Sequence, residues 1–249
     1  MAVLEMAGQP IAPPFPDLSP KQELALLARI LYREGYNDHL AGHITCRQPD
    51  GTFLVNPFGL TWGELRACDI MRMDADGNRL DGPWTITAAI QLHLELHRSR
   101  HVNVALHNHP RWGTLWADLR KAPAVHDQTG AMYNGTVAVY DEYAGAVDDA
   151  GNARAAVTAM GDADICLLAH HGVLIVGDNI REVYMRATSF EWRCRQAWHV
   201  VAAGGAAPMD PDVAFRYGEL FRGNNFPGMF EAMARTELRA DPSVLDEAG

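Results

Sequence analysis

The sequence predicts a layered α/β protein, and three observations support the prediction. Segments with apolar residues at helical spacing alternate along the chain with short apolar runs typical of buried strands. The length of 249 residues fits one domain of ordinary α/β size. Hydrophobic residues make up 48% and charged residues 21%, which is enough for a sizeable core and argues against disorder.

Charge and cysteine content limit the classes of partner. The net charge of −10 argues against nucleic acid and anionic membranes, because both require clustered Lys and Arg, so a small-molecule substrate fits better. The sequence shows no signal-peptide pattern, and no apolar run approaches the roughly 18–20 residues that span a bilayer. Four cysteines without CxxC spacing indicate reduced thiols. We therefore expect a cytoplasmic protein.

The residue pattern of the N-terminal segment predicts an arm followed by the first helix. Residues 1–18 are rich in Pro and Gly, which favours a flexible arm ahead of a single domain at 19–249. Residues 19–22 read Ser-Pro-Lys-Gln, a capping box with proline at the first helical position. Gly35 is expected to end this helix.

Short strands and turns are expected next. The patterns predict a hairpin with strands near 42–47 and 52–55, a helical turn opening at 61–64, a strand near 70–73 and a turn at 74–78.

In the rest of the sequence, from about residue 85, predicted helices and strands alternate more regularly. It predicts a helix over 85–100, a strand over 102–109, a helix near 112–119, a loop through 126–128, a strand at 136–140, a helix at 152–160, two buried strands within 166–176, a long helix from 178 or 179 to about 203, and short helices near 213–221 and 230–238.

Two histidine motifs sit on the predicted strands. His107 and His109 are spaced i, i+2, which places both side chains on one face of a strand, where their ring nitrogens can converge. His171 precedes Gly172, where the second apolar run must turn, and it supplies a candidate third ligand. His93 and His97 have the i, i+4 spacing of a helical metal pair, although they also continue a core stripe.

These motifs resemble the class II aldolase/adducin family. Its zinc aldolases carry a His-x-His strand and a later Asn-His-Gly or His-His-Gly, and the chain has three further landmarks in the family's order: Gly42-His43-Ile44-Thr45, Asn56-Pro57-Phe58-Gly59 and Asp69-Ile70. The resemblance covers roughly residues 20–245.

The resemblance implies an α/β/α arrangement with a central, mostly antiparallel sheet flanked by helices. It also implies a homotetramer with active sites at subunit interfaces. By position, His107, His109 and His171 take the family's metal-ligand places. Neutral imidazoles suit a divalent ion, for which zinc or manganese is expected and iron stays open.

Two departures from the family's aldolases bear on the substrate. Those aldolases carry Pro-Ser-Ser-Glu upstream of His-x-His, whereas this chain has Ile-Thr-Ala-Ala at 86–89, without a carboxylate. Phe58 stands where they use a phosphate-binding serine. Both changes disfavour a sugar phosphate. The chain is closest in character to the family's metal-dependent decarboxylases, which act on hydroxylated aromatic or heteroaromatic acids.

A decarboxylase needs an electron sink and a proton donor. A divalent metal supplies the sink as a Lewis acid. The candidate donors are Tyr133, Tyr140 and His43, of which Tyr133 and His43 are the predicted catalytic residues. The resemblance places Phe58, Gly59 and Gly42 at the substrate pocket.

Three other functions stay open at this point. The first is an aldolase acting on a non-phosphorylated hydroxy-keto substrate, for which no base is evident. The second is iron-dependent oxidative cleavage, which the same three histidines would serve. The third is a non-catalytic, adducin-like interaction module; adducin-type domains lack the metal histidines that this chain retains.

Overall fold

The structure is a computed structural model, and it describes residues 15–100, 102–142, 145, 149–221 and 228–248. The first fourteen residues of the expected arm lie outside this part of the chain. At the end of the arm, Phe15 and Leu18 pack against the main core. The predicted capping box is confirmed, because the Ser19 side chain accepts from the backbone N–H of Gln22 and the Gln22 side chain accepts from that of Ser19.

Helices and strands alternate as the sequence predicts. The helices are α1 (Pro20–Arg33), α2 (Ile90–Ser99), α3 (Arg111–Asp118), α4 (Gln128–Ala131), α5 (Ala150–Met160), α6 (Ile180–Ala202), α7 (Pro211–Glu219) and α8 (Met229–Ala240). The strands are β1 (His43–Arg47), β2 (Phe53–Val55), β3 (Met71–Met73), β4 (Val104–Asn108), β5 (Val137–Tyr140), β6 (Ile165–Leu168) and β7 (Gly172–Gly177).

The strands form one sheet of seven in the order β3-β2-β1-β4-β7-β6-β5. Only the β5–β6 pair is parallel among the strand pairs of the described residues, which confirms the mostly antiparallel sheet. Leu106 packs into a core beneath α1 and α6, whereas its neighbour Ala105 faces a second core beneath α2 and α5. Because successive residues of a strand face opposite sides, helices cover both faces, and the α/β/α layering is confirmed.

Three local predictions differ from the structure. Helix α2 begins at Ile90 rather than near 85, because Thr85 is held by a bridge in which its carbonyl accepts from the backbone N–H of Phe58. The Thr61 backbone N–H and hydroxyl both donate to Glu64, and the segment is a single turn rather than the start of a helix; a short 3-10 helix, Ala67–Asp69, follows it. The expected loop at 126–128 runs instead into the short helix α4, capped by Asp127.

Within the described ranges, no helix has the length and apolar character needed to cross a membrane.

Candidate metal centre

Three histidines meet where β4 ends and β7 begins. His107 lies on β4, His109 follows that strand, and His171 precedes β7. One ring nitrogen from each lies within 4.8 Å of the others. The strands β4 and β7 pair antiparallel through Asn108 and Val173, so the end of one strand meets the start of the other. The structure thus brings together the three residues expected as metal ligands.

Hydrogen bonds orient two of the rings. The Nδ1 atom of His107 donates to the carbonyl oxygen of Val173 at 2.9 Å. The Nδ1 atom of His109 donates to Asp38 Oδ2 at 2.8 Å. Each bond holds the proton on Nδ1 and leaves Nε2 as the lone-pair nitrogen, which is the arrangement that metal-binding histidines usually have.

Unpaired buried nitrogens show that the cluster fits a cation. His109 Nε2 and His171 Nδ1 are buried and have no hydrogen-bond partner in the part of the chain that the structure describes. A buried polar atom without a partner costs about 1–3 kcal/mol, so such atoms call for an explanation. A metal ion bound between the rings would satisfy both lone pairs.

The electrostatics favour neutral, ligand-ready rings. Burial lowers the pKa of His107 well below its ordinary value, and the neighbouring histidines lower it further. Burial likewise lowers the pKa of His171 to about 4, with His109 adding to the effect. At neutral pH both rings therefore carry a free lone pair. Three neutral imidazoles suit a divalent ion, and this donor set alone does not select among zinc, manganese and iron.

A cavity of about 160 Å³ opens beside the three histidines. Its described lining contains no acidic side chain and no Lys or Arg; it comprises Leu40, Ala41, Gly42, His43, Asn56, Pro57, Phe58, Thr87, Ala89 and the three histidines. Residues 86–89 stand where the family's aldolases carry Pro-Ser-Ser-Glu, and this segment faces the cavity through Thr87 and Ala89.

The predicted substrate-binding residues do not all reach this cavity. Gly42 lines it with φ +98°, and Phe58 lines it with a ring that is half exposed. Gly59 follows Phe58 and is exposed, but it is not part of the lining.

Of the candidate proton donors, only His43 reaches the cavity of this chain. His43 lies directly opposite His107 in the β1–β4 register, with ring centroids 5.0 Å apart. Tyr133 is buried in the main core instead, where its hydroxyl donates to the carbonyl of Thr136 at 2.8 Å. Tyr140 lies on the edge strand β5, with two strands between it and β4. Core packing therefore occupies both tyrosines elsewhere.

The remaining histidines near the motifs have other surroundings. His93 and His97 lie behind His43, buried between α2 and the sheet, and they are not in the three-histidine group. His170 points away from that group; its Nε2 is 2.9 Å from Arg120, and its φ is +57°.

Several positioning residues were not predicted from the sequence. Asp38 holds His109, as described above, and lies 71 residues away along the chain. Asn108 accepts from the backbone N–H of His109 and donates to the carbonyl of Ala41. Glu191 on α6 accepts from two backbone N–H groups in the first turn of α3, just after His109. No local pattern marks Asp38 or Glu191, because the groups that they bind lie more than seventy residues away along the chain.

We expect Asp38→Asn to weaken metal binding by about 10–100-fold, because a carboxylate behind a ligating imidazole orients the ring and increases its basicity. Competition with a chromophoric chelator measures the change. Asp141→Asn is the matched control, because it removes an exposed carboxylate that pairs with Arg120. Equal affinities in Asp38→Asn and wild type would show that Asp38 does not support the ligand.

Comparison with known proteins places this geometry in a family. Residues 22–198 match the model of the class II aldolase and adducin N-terminal domain. The fold is also that of an L-fuculose 1-phosphate aldolase from Glaciozyma antarctica, with a TM-score of 0.80, 23% identity and coverage of 91% of each chain.

Relatives in the family carry different names. A 5-methylthioribulose-1-phosphate/5-deoxyribulose-1-phosphate aldolase of Rhodospirillum rubrum is 32% identical over 78% of this chain and 87% of its own length. A 3,4-dihydroxyphthalate decarboxylase of Arthrobacter keyseri is 30% identical over 77% of this chain and 83% of its own length. An adducin-related protein of Schizosaccharomyces pombe is 29% identical, and the match spans 74% of this chain but only 60% of that protein.

The family match spans more than two thirds of the chain, and the fold and the histidine cluster agree with it. The chain belongs to the class II aldolase and adducin N-terminal domain family.

Proposed function

We propose that this protein is a metal-dependent carbon–carbon lyase that decarboxylates a hydroxylated aromatic or heteroaromatic acid. The observation that supports the choice most is the lining of the cavity. Among its described residues the lining offers no carboxylate base and no cationic side chain, while the ring of Phe58 stands at its edge. A flat substrate without a phosphate group suits such a surface.

A sugar phosphate fits this lining poorly. A phosphate group is commonly held by Arg, Lys or hydroxyl donors. Phe58 replaces the hydroxyl expected of the family's aldolases, Ala89 faces the cavity in the segment where they carry a glutamate, and the hydroxyl-bearing side chain in the described lining is that of Thr87, which accepts from the backbone N–H of Ala89. The Rhodospirillum relative is named for phosphorylated substrates and the Arthrobacter relative for an aromatic acid. The cavity lining supports the second kind of substrate.

The reaction needs few side chains. The bond between the carboxylate carbon and the ring carbon breaks, its electron pair stays on the ring carbon, and carbon dioxide leaves. One proton from solvent then bonds to that carbon, so acid anion plus proton gives the arene and carbon dioxide. A bound divalent metal would supply a Lewis acid that withdraws electrons from a ring oxygen.

The chain's own residues would position the ring. Phe58 and Leu40 present apolar surface that packs on the aromatic face and excludes water. Gly42 lines the cavity with its backbone, and its missing side chain leaves room for Asn108 and Trp62. His43 would provide a hydrogen-bonding group beside the histidine cluster.

We expect carbon dioxide release from hydroxylated benzoates or pyridinecarboxylates by the protein loaded with zinc or manganese. Exhaustive chelation should reduce the rate to background, and returning the metal should restore it. Release that persists without metal would contradict the proposal, as would efficient cleavage of sugar phosphates by the same preparation. Activity that requires iron and consumes oxygen would instead establish oxidative cleavage.

A homotetramer with the cavity at a subunit interface is part of the same proposal. Large apolar side chains exposed on the described surface support it; they include Trp192, Trp198, Val201, Phe215 and Leu220. Sedimentation velocity of the purified protein tests this expectation.

A further inference from the structure

A chain of buried hydrogen bonds leads from the cavity wall into the layer between β1 and α2. His43 Nδ1 is 2.8 Å from His93 Nε2. Thr45 Oγ1 lies 2.7 Å from both His93 Nδ1 and His97 Nε2. His97 Nδ1 is 3.1 Å from the carbonyl oxygen of Val102, which is the last group of this hydrogen-bond chain.

The periodicity of the two elements builds this arrangement. His43 and Thr45 are two residues apart on β1, and His93 and His97 are four apart on α2, so each pair shares one face of its element. All four side chains are buried, with exposed fractions between 0% and 6%. Solvent therefore offers them no alternative partners.

The Val102 carbonyl, at the end of the hydrogen-bond chain, determines which ring nitrogens carry protons. A carbonyl oxygen only accepts, so His97 Nδ1 carries the hydrogen that it donates to Val102. Burial lowers the pKa of His97 to about 4, which keeps the ring neutral at neutral pH. A neutral ring protonated at Nδ1 has an unprotonated Nε2, which must accept from the hydroxyl of Thr45.

Donor and acceptor roles follow in the same way for Thr45, His93 and His43, back to the cavity. Thr45 donates its single hydroxyl proton to His97, so it accepts from His93 Nδ1–H. Burial lowers the pKa of His93 well below its ordinary value, so this ring is neutral too and its Nε2 accepts from His43 Nδ1–H. The proton of a neutral His43 then lies on Nδ1, and Nε2 is the ring nitrogen left for a group in the cavity.

We propose that Thr45, His93 and His97 hold His43 in the tautomer with an unprotonated Nε2, so that His43 selects substrates by accepting a hydrogen bond from a substrate hydroxyl. This inference rests on the proposed function and deepens it, because it assigns a hydroxylated acid rather than its ether. His43 touches the substrate, whereas Thr45, His93 and His97 are positioning residues.

The hydrogen-bond chain does not provide a path by which a proton could leave the cavity. A path for protons would have to reach solvent or a titratable group. The hydrogen-bond chain stops instead at the backbone carbonyl of Val102, and Val102 is itself buried. The arrangement therefore fixes the direction of donation and does not carry protons away.

Thr45→Val tests the direction of hydrogen-bond donation directly. Valine keeps the shape but neither donates nor accepts, so His93 Nδ1–H would lose its acceptor. The alternative tautomer of His93 avoids an unpaired buried N–H by donating from Nε2 to His43 Nδ1, which moves the His43 proton to Nε2. Thr45→Ser should retain the wild-type polarity. Thr114→Val is the matched control, because the Thr114 hydroxyl is buried and has no partner among the described residues.

The tautomers can be read without metal or activity. Nitrogen NMR of metal-free protein labelled at histidine, with His43 assigned through His43→Gln, distinguishes protonated from unprotonated ring nitrogens. We expect an unprotonated His43 Nε2 in wild type, Thr45→Ser and Thr114→Val, and a protonated one in Thr45→Val. A protonated Nε2 in wild type, or an unchanged tautomer in a folded Thr45→Val protein, would overturn the inference. Neither result depends on whether the protein decarboxylates anything.

Binding tests the selection of a hydroxyl group. Protocatechuate and its dimethyl ether, veratrate, are the probes, measured by calorimetry on zinc-loaded protein. Thr45→Val should reduce the preference for protocatechuate by about tenfold, the value of one hydrogen bond, and Thr45→Ser should not. An undiminished preference in Thr45→Val would overturn hydroxyl selection by His43. Failure of protocatechuate to bind the wild-type protein would overturn hydroxyl selection by His43, while carbon dioxide release would still test the proposed function and the NMR result would still decide the tautomer.

Discussion

His171→Ala is expected to lose bound metal and the proposed lyase activity, while His170→Asn, one position earlier, keeps both. His171 contributes one of three ring nitrogens that lie within 4.8 Å of one another. With two imidazoles left, we expect a loss of affinity larger than the 10–100-fold typical of groups behind a ligand. Elemental analysis of protein purified without added metal gives the result.

The neighbouring histidine makes a close control. His170 has φ +57°, a conformation that asparagine tolerates better than most residues, so His170→Asn avoids backbone strain. Its ring lies beside Arg120, away from the cluster. Equal metal content in His171→Ala and wild type would mean that the three histidines are structural. His109→Ala should behave like His171→Ala, because the buried Nε2 of His109 has no hydrogen-bond partner within the described ranges.

Gly42→Ala is expected to destabilise the fold by about 2–5 kcal/mol, the largest stability effect predicted at the cavity. A left-handed residue that is not glycine costs about 1–2 kcal/mol, and Gly42 has φ +98°. A Cβ atom there would also lie 2.1 Å from Asn108 Nδ2 and 2.9 Å from Trp62, so overpacking adds about 1–3 kcal/mol. Urea denaturation of both proteins measures the difference.

Gly59→Ala separates the two contributions. Gly59 has φ +100°, but a Cβ atom there would meet nothing within 4 Å. We expect only the conformational cost of about 1–2 kcal/mol at this position. If both variants lost the same stability, the contact between Gly42 and Asn108 would not matter. Because Asn108 also bonds the backbone N–H of His109, Gly42→Ala should weaken metal binding too, whereas Gly59→Ala should not.

Local pattern alone predicted much of the architecture. The Ser19 capping box placed the first helix correctly, because its contacts lie within four residues. The i, i+2 spacing placed His107 and His109 on one side of a strand end, since side-chain direction in a strand follows from backbone geometry. The mostly antiparallel sheet came from the resemblance to a family, His171 was a candidate third ligand from its place before Gly172, and the structure agrees with both.

The tertiary structure alone decided which distant groups meet. Tyr133 was a candidate proton donor by residue type, but packing buries its hydroxyl against Thr136. Asp38 supports His109 across 71 residues, and Thr45 joins His93 and His97 across about fifty. The sequence by itself determines which face of each element is apolar, because periodicity of 2 or 3.6 residues is local. Which polar atoms become partners depends on how the elements pack, because buried donors and acceptors pair with whatever the packing brings within reach.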